Sequence, residues 1–167
     1  MRETPQQYIQ RMLGIIKGND PMEVQKSTAE KLSKLIHCLD KQKLTQRPAQ
    51  DKWSISEILA HLADAEIVGA WRLRSVLAQN GTTIQSFDQN AWAGTFNYEK
   101  QDAATSLEIF RVLRASSLAL LASIPKELWE NYGTHSERGK ETVAHIVRMY
   151  AAHDLNHLRQ VEALAKG

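Results

Sequence analysis

Cysteine is almost absent from this chain of 167 residues: the single thiol, Cys38, has no partner for an internal disulfide. The fold must be held by its own packing, and a lone cysteine fits a reducing compartment. Long apolar runs are missing too. Nowhere do about 18 apolar residues follow one another, the length a membrane-spanning helix needs, so no membrane partner is expected. The opening MRETPQQYIQ is too polar for the apolar core of a signal peptide, which makes a cytoplasmic location the expectation. Neither charge sign is concentrated: 21 Lys and Arg against 19 Asp and Glu leave a formal net charge of +2, scattered along the chain. Without a basic stripe, nucleic acid is a poor partner. Strand signals are scarce as well. Sustained period-2 alternation is lacking, and Asn80-Gly81 is the one Asn-Gly turn signal.

What is present reads as helix. Apolar residues make up 43% and charged residues 24%, both ordinary for a globular protein. The length suits one domain over 1–167, long enough to bury roughly two-thirds of its unfolded surface. Helical periodicity recurs in five segments. A short one runs from Thr4 to Lys17 with Pro5 at N1, and Gly18-Asn19-Asp20-Pro21 breaks it. The second spans Pro21 to Asp40. The third starts at Ser54, where Ser54 and Glu57 form a capping box, and ends by Asn80-Gly81. The fourth covers Asp102 to Ser123 and the last Lys140 to Ala165, with a loop from Lys126 to Gly139 between them. Four long helices behind a short leading one imply an all-α four-helix bundle with a short extra N-terminal helix. The connection from Gly81 to Lys100 is long enough to cross the bundle, so the helices on either side of it can run parallel.

Two histidines stand out in the last helix. Ile146, Tyr150, His153, His157, Val161 and Leu164 recur at steps of three and four, which places them on one core-facing stripe about 100° wide. His153 and His157 are one turn apart, with about 6 Å between their Cβ atoms. His61 lies in a similar stripe with Ile58, Ala65 and Val68. Three inward imidazoles are costly to bury unpartnered, and a shared metal ion removes that cost. Three nitrogen ligands leave positions open for water or substrate, the pattern of a catalytic site. Imidazoles suit zinc, nickel, copper or iron. Core histidines satisfied by carbonyls or carboxylates are the plainer alternative. His37, His135 and His145 look ordinary: His145 sits about 80° round the helix from His153, and His135 lies in a polar loop. Cys38 sits in an apolar run and reads as core.

The stretch from Trp53 to Glu66 (WSISEILAHLADAE) and that from Ala151 to Gln160 (AAHDLNHLRQ) resemble motifs of the DinB/YfiT-like metalloenzyme superfamily. Phe87-Asp88-Gln89 through Trp92, and His135 to Gly139, resemble further segments of its DinB-like branch. The resemblance runs from about Pro21 onward. It implies an up-down-down-up bundle, a metal site at His61, His153 and His157, nickel or zinc as the ion, and a homodimer. It also implies a small-molecule substrate and, among relatives, S-transfer with low-molecular-weight thiols such as bacillithiol or mycothiol.

The expected activity is therefore metal-dependent thiol transfer, since a coordinated thiol ionises outright. Metal-activated hydrolysis and a non-catalytic binding module are the alternatives. Glu57 and Asp64 flank His61 by about one turn and are expected to orient its second nitrogen or act as a general base. Arg72 or Arg74 could hold a substrate carboxylate. Asp88 and Trp92 are expected in a lid over the site, with Arg72 among the substrate-binding residues.

Overall fold

Each long helix begins where a side chain captures the free backbone N–H groups of its first turn. The computed structural model describes residues 3–167. Thr4 and Gln7 form a capping box ahead of α1 (Pro5–Ile16), and Asp20 caps α2 (Pro21–Ile36). Asp40 accepts from Lys43 N–H and starts a short α3 (Lys41–Thr45). The second segment thus stops at Ile36 rather than Asp40, because that aspartate opens a new helix. Ser54 and Glu57 make the expected reciprocal capping box for α4 (Ile55–Ala78). The capped helices that follow are α5 (Gln89–Thr95), α6 (Ala103–Ser123) and α7 (Val143–Lys166).

Four of these, α2, α4, α6 and α7, build the bundle. Gln25 Nε2 donates to the Val147 carbonyl (2.8 Å), while Leu32 packs with Leu158 and Val161, so α2 and α7 run parallel. Along α4 and α6, Leu59 clusters with Ala103 and Phe110, Glu66 meets Arg114, and Val76 clusters with Leu121. Those two helices are parallel as well. His61 faces His153 and His157, whereas Leu73 packs beside Ile146, which makes α4 antiparallel to α7. The order is up-down-down-up. No helix among the described residues is long and apolar enough to cross a membrane.

A small sheet was not anticipated from the sequence. Strand β1 (Thr82–Ile84) pairs parallel with β2 (Tyr132–His135), which pairs antiparallel with β3 (Gly139–Thr142). Strands of three or four residues are too short to display alternation, and β1 finds its partner about 50 residues away. The loop expected from Lys126 to Gly139 holds a strand, and the last helix begins at Val143 because Gly139–Thr142 belongs to β3. Gly133 is obligatory there: a Cβ would lie 2.4 Å from Ile84 Cγ1. Cys38 is exposed rather than core, since α2 has ended before it.

The apolar core divides into a cluster around Leu59 and Phe110, one around Val76 and Ile146, and one where α1 rests on α7 through Met12, Ile16 and Met149. Between them lies a buried ionic network. Arg114, only 3% exposed, donates to Glu66 (2.8 and 3.0 Å) and to both oxygens of Asp154. Burial raises the pKa of both acids. It would lower that of Arg114, but the two carboxylates outweigh it and hold the guanidinium charged.

Removing one member of a buried network strands the others, at a cost of about 3–5 kcal/mol. Arg114→Met is therefore expected to lower the thermal midpoint by about 6–20 °C, at about 2–4 °C per kcal/mol for a domain of this size. A calorimetric midpoint within 2–3 °C of the parent, about the shift from 1 kcal/mol, would show that the network contributes little.

Candidate metal centre

Two antiparallel helices bring the three histidines together. His61 Nε2 lies 2.9 Å from His153 Nε2, which is 3.1 Å from His157 Nε2. One donor nitrogen from each ring falls within 4.8 Å of the others. His61 and His157 are buried, whereas His153 is partly exposed. Three ring nitrogens this close cannot all donate to one another, but three lone pairs can point at one cation. Metal–nitrogen bonds of about 2.0–2.1 Å with tetrahedral angles set the nitrogens about 3.3 Å apart, near the spacing seen. The donor set and its geometry fit a divalent transition metal.

The surroundings keep the rings neutral. Burial drops the pKa of His61 to about 3 and that of His157 to about 4, and His153 is lowered well below the ordinary imidazole value by burial and by the other two rings. Neutral imidazole is the ligating form. His157 is also oriented: its Nδ1–H, in the tautomer that frees Nε2, donates to Gln160 Oε1 at 2.8 Å. Gln160, three residues on along the same helix, was missed by sequence reasoning although its i, i+3 spacing carries the signal. His61 Nδ1 is buried without a partner. Its ring is held instead by packing, 5.0 Å from Trp53 and stacked on Phe87 at 6.2 Å, with 10° between the latter planes.

The carboxylates expected to orient His61 do other work. Glu57 is buried against Arg47 and the Ser54 backbone N–H, because the capping box turns it toward the helix start. Asp64 accepts the Tyr98 hydroxyl at 2.6 Å. Neither bonds His61. Asp88 caps α5 and does not line the cavity beside the histidines. Trp92 reaches it only indirectly, by packing edge-on against Phe87. Arg74 turns away to Ser116, whereas Arg72 does line that cavity. His145 stays outside the cluster, as its position round the helix implied. His135 is 2% exposed rather than solvated, because β2 carries it inward.

Two cavities meet at His153. A small one of ≈ 80 Å³ is lined by His61, His153, Arg72, Tyr150, Phe87 and other residues. A larger groove of ≈ 550 Å³ runs past His153, His157, Asn156, Gln160, Trp53 and Lys52. Gly69 permits the helix approach that shapes the first: a Cβ there would lie 2.5 Å from Tyr150 Cε1.

Fold and site together define a helical bundle with an open-sided three-histidine centre suited to a metal. Residues 26–161 match the model of the DinB superfamily. The chain belongs to that superfamily. Among similar proteins, one from Oceanobacillus iheyensis is 25% identical over 114 residues, 68% of this chain and 66% of that protein. One from Halalkalibacterium halodurans is 20% identical over 132 residues (79% and 77%), and one from Bacillus cereus 25% over 135 residues (81% and 78%). All three bear names that provisionally call them metal-dependent hydrolases. The solved structure of YfiT from Bacillus subtilis, described as an unusual four-helix bundle, superposes with a TM-score of 0.81 at 19% identity. That match covers 87% of this chain and 84% of YfiT, and it supports the fold.

Elemental analysis of protein purified without a metal-binding tag is expected to find about one divalent ion per chain, and little in His153→Ala. Gln160→Leu should keep the site but weaken metal affinity by about 10–100-fold. Equal metal content in the parent and His153→Ala would remove the centre.

In metal-free protein the depressed imidazole pKa values link folding to pH. The folded rings stay neutral while the unfolded chain takes up protons below about pH 6.5, so stability falls as pH drops from about 6.5 toward 4. Urea titrations at pH 7 and pH 5 should show this loss, and it should shrink in His153→Ala. An identical pH response in parent and variant would contradict it.

Proposed function

We propose that this protein is a metal-dependent transferase that joins a low-molecular-weight thiol of the bacillithiol or mycothiol type to a small electrophile. The observation that carries this reading is the convergence of two unequal cavities on His153. A hydrolase needs room for one substrate and a water, whereas two separate approaches to one centre suit a two-substrate reaction. His61, His153 and His157 would hold the ion, nickel or zinc by resemblance, and a bound divalent ion supplies the Lewis acidity that ionises a coordinating thiol. Asn156, Gln160 and Lys52 give the groove the polar lining that a hydrophilic thiol needs. Phe87 and Trp53 cover the His61 ring and exclude water from its side of the site. In the transfer, the sulfur–carbon bond forms as the leaving group departs with its electron pair, and the thiol proton passes to solvent.

Hydrolysis is the second reading, favoured by the names its relatives carry. The two separate in one assay. Metal-reconstituted protein is mixed with monochlorobimane and, in turn, cysteine, glutathione or bacillithiol. Conjugate formation above background, dependent on metal and abolished in His61→Ala, is the expected result. Ester or amide cleavage without any thiol would transfer the assignment to the hydrolases, and silence in both formats would defeat both.

A further inference from the structure

The two buried arginines differ in how their charge is matched. Arg114 has Glu66 and Asp154, and the half-buried Arg138, which also lines the smaller cavity, has Glu141 at 2.6 Å. Arg72 is 7% exposed and makes no ion pair among the described residues. Its guanidinium meets two neutral groups, the Gln85 carbonyl at 2.7 Å and the Tyr150 hydroxyl at 3.4 Å, and its Nε has no partner. Of five N–H donors, two are engaged. Leaving a charge buried and uncompensated is costly, so such a site is selective for an incoming anion.

The smaller cavity is where that anion would enter. Arg72 and Tyr150 line it together with His61 and His153, Phe87 and Met149 give it apolar walls, and no carboxylate lines it. Tyr150 accepts from Arg72, and its own proton remains available to the cavity. Burial pushes that hydroxyl's pKa up to about 12, so it stays a donor at neutral pH. The volume of ≈ 80 Å³ is small, so the part of the occupant that enters beside Arg72 is short. One uncompensated positive charge calls for a single negative one.

We propose that the smaller cavity binds the carboxylate of a small organic acid, with Arg72 and Tyr150 gripping the anion so that the remainder of the molecule faces His61 and His153. This names the substrate class of the centre proposed above and rests on that reading for its catalytic meaning, but the recognition itself belongs to Arg72. Of two electrophiles of the same shape, the short carboxylic acid is then preferred in the transfer over its neutral counterpart.

The isosteric pair propanoate and propanamide tests this by calorimetric titration of metal-free and metal-loaded protein. The metal-free arm isolates the arginine, because it leaves the acid no ion to coordinate. The parent should bind propanoate about tenfold or more tightly than propanamide in both forms. Arg72→Gln should erase that preference, chiefly by weakening propanoate binding, and Arg72→Lys should restore part of it. Equal affinities in the metal-free parent would overturn the proposal, as would a preference that survives in Arg72→Gln. If Arg72→Gln does not fold by circular dichroism, the acid–amide comparison in the parent still decides. Failure of the metal centre would register separately, as absent metal beside an intact acid preference.

Discussion

Imidazole is an expensive group to bury, and the packing of α4 against α7 buries two of three while leaving the third at a cavity edge. Everything chemical about this protein follows from how that cost is met. The rings sit close enough that their lone pairs converge, they are kept neutral by their surroundings, and one of them is steered by an amide three residues away. A cation at the convergence point would convert the cost of burial into a binding energy that also stabilises the fold. Antiparallel α4 and α7 supply the ligands from helices rather than loops, which holds their geometry firmly.

Charge is distributed unevenly through the same interior. Glu66, Arg114 and Asp154 cross-link α4, α6 and α7 and satisfy one another, even though Asp154 is the chain neighbour of His153. Arg72, about three turns along α4 from His61, is left without a counter-charge. The contrast separates a network that holds helices in register from a group whose electrostatic needs are unmet within the chain. Tyr150 serves the second of these, since Gly69 lets it pack against α4 while its hydroxyl reaches Arg72.

The irregular segments shape the openings. The crossing between α4 and α6 carries β1 and α5, which bring Phe87 onto His61, and β2 and β3 present Arg138 at the smaller cavity. α1 adds Tyr8 to both cavities. Small changes in these parts would alter access to the centre without disturbing the bundle, consistent with one helical frame serving different chemistries.

The helices and the histidines were legible in the sequence because both depend on local spacing. Capping residues such as Ser54 and Asp102 mark helix starts, and steps of three and four put His153 and His157 on one face whatever else the chain does. The sheet was not legible, because its short strands are defined by a partner about 50 residues away. Nor were the roles of charged side chains. Glu57 and Asp64 sit near His61 in sequence yet turn to Arg47 and Tyr98, and His135 is buried although its neighbours are polar. Periodicity by itself determined the class of fold and which side chains point inward. Only the tertiary structure decided which of those side chains share a cavity and which charges are compensated, because burial and pairing depend on distances between helices that no local pattern encodes.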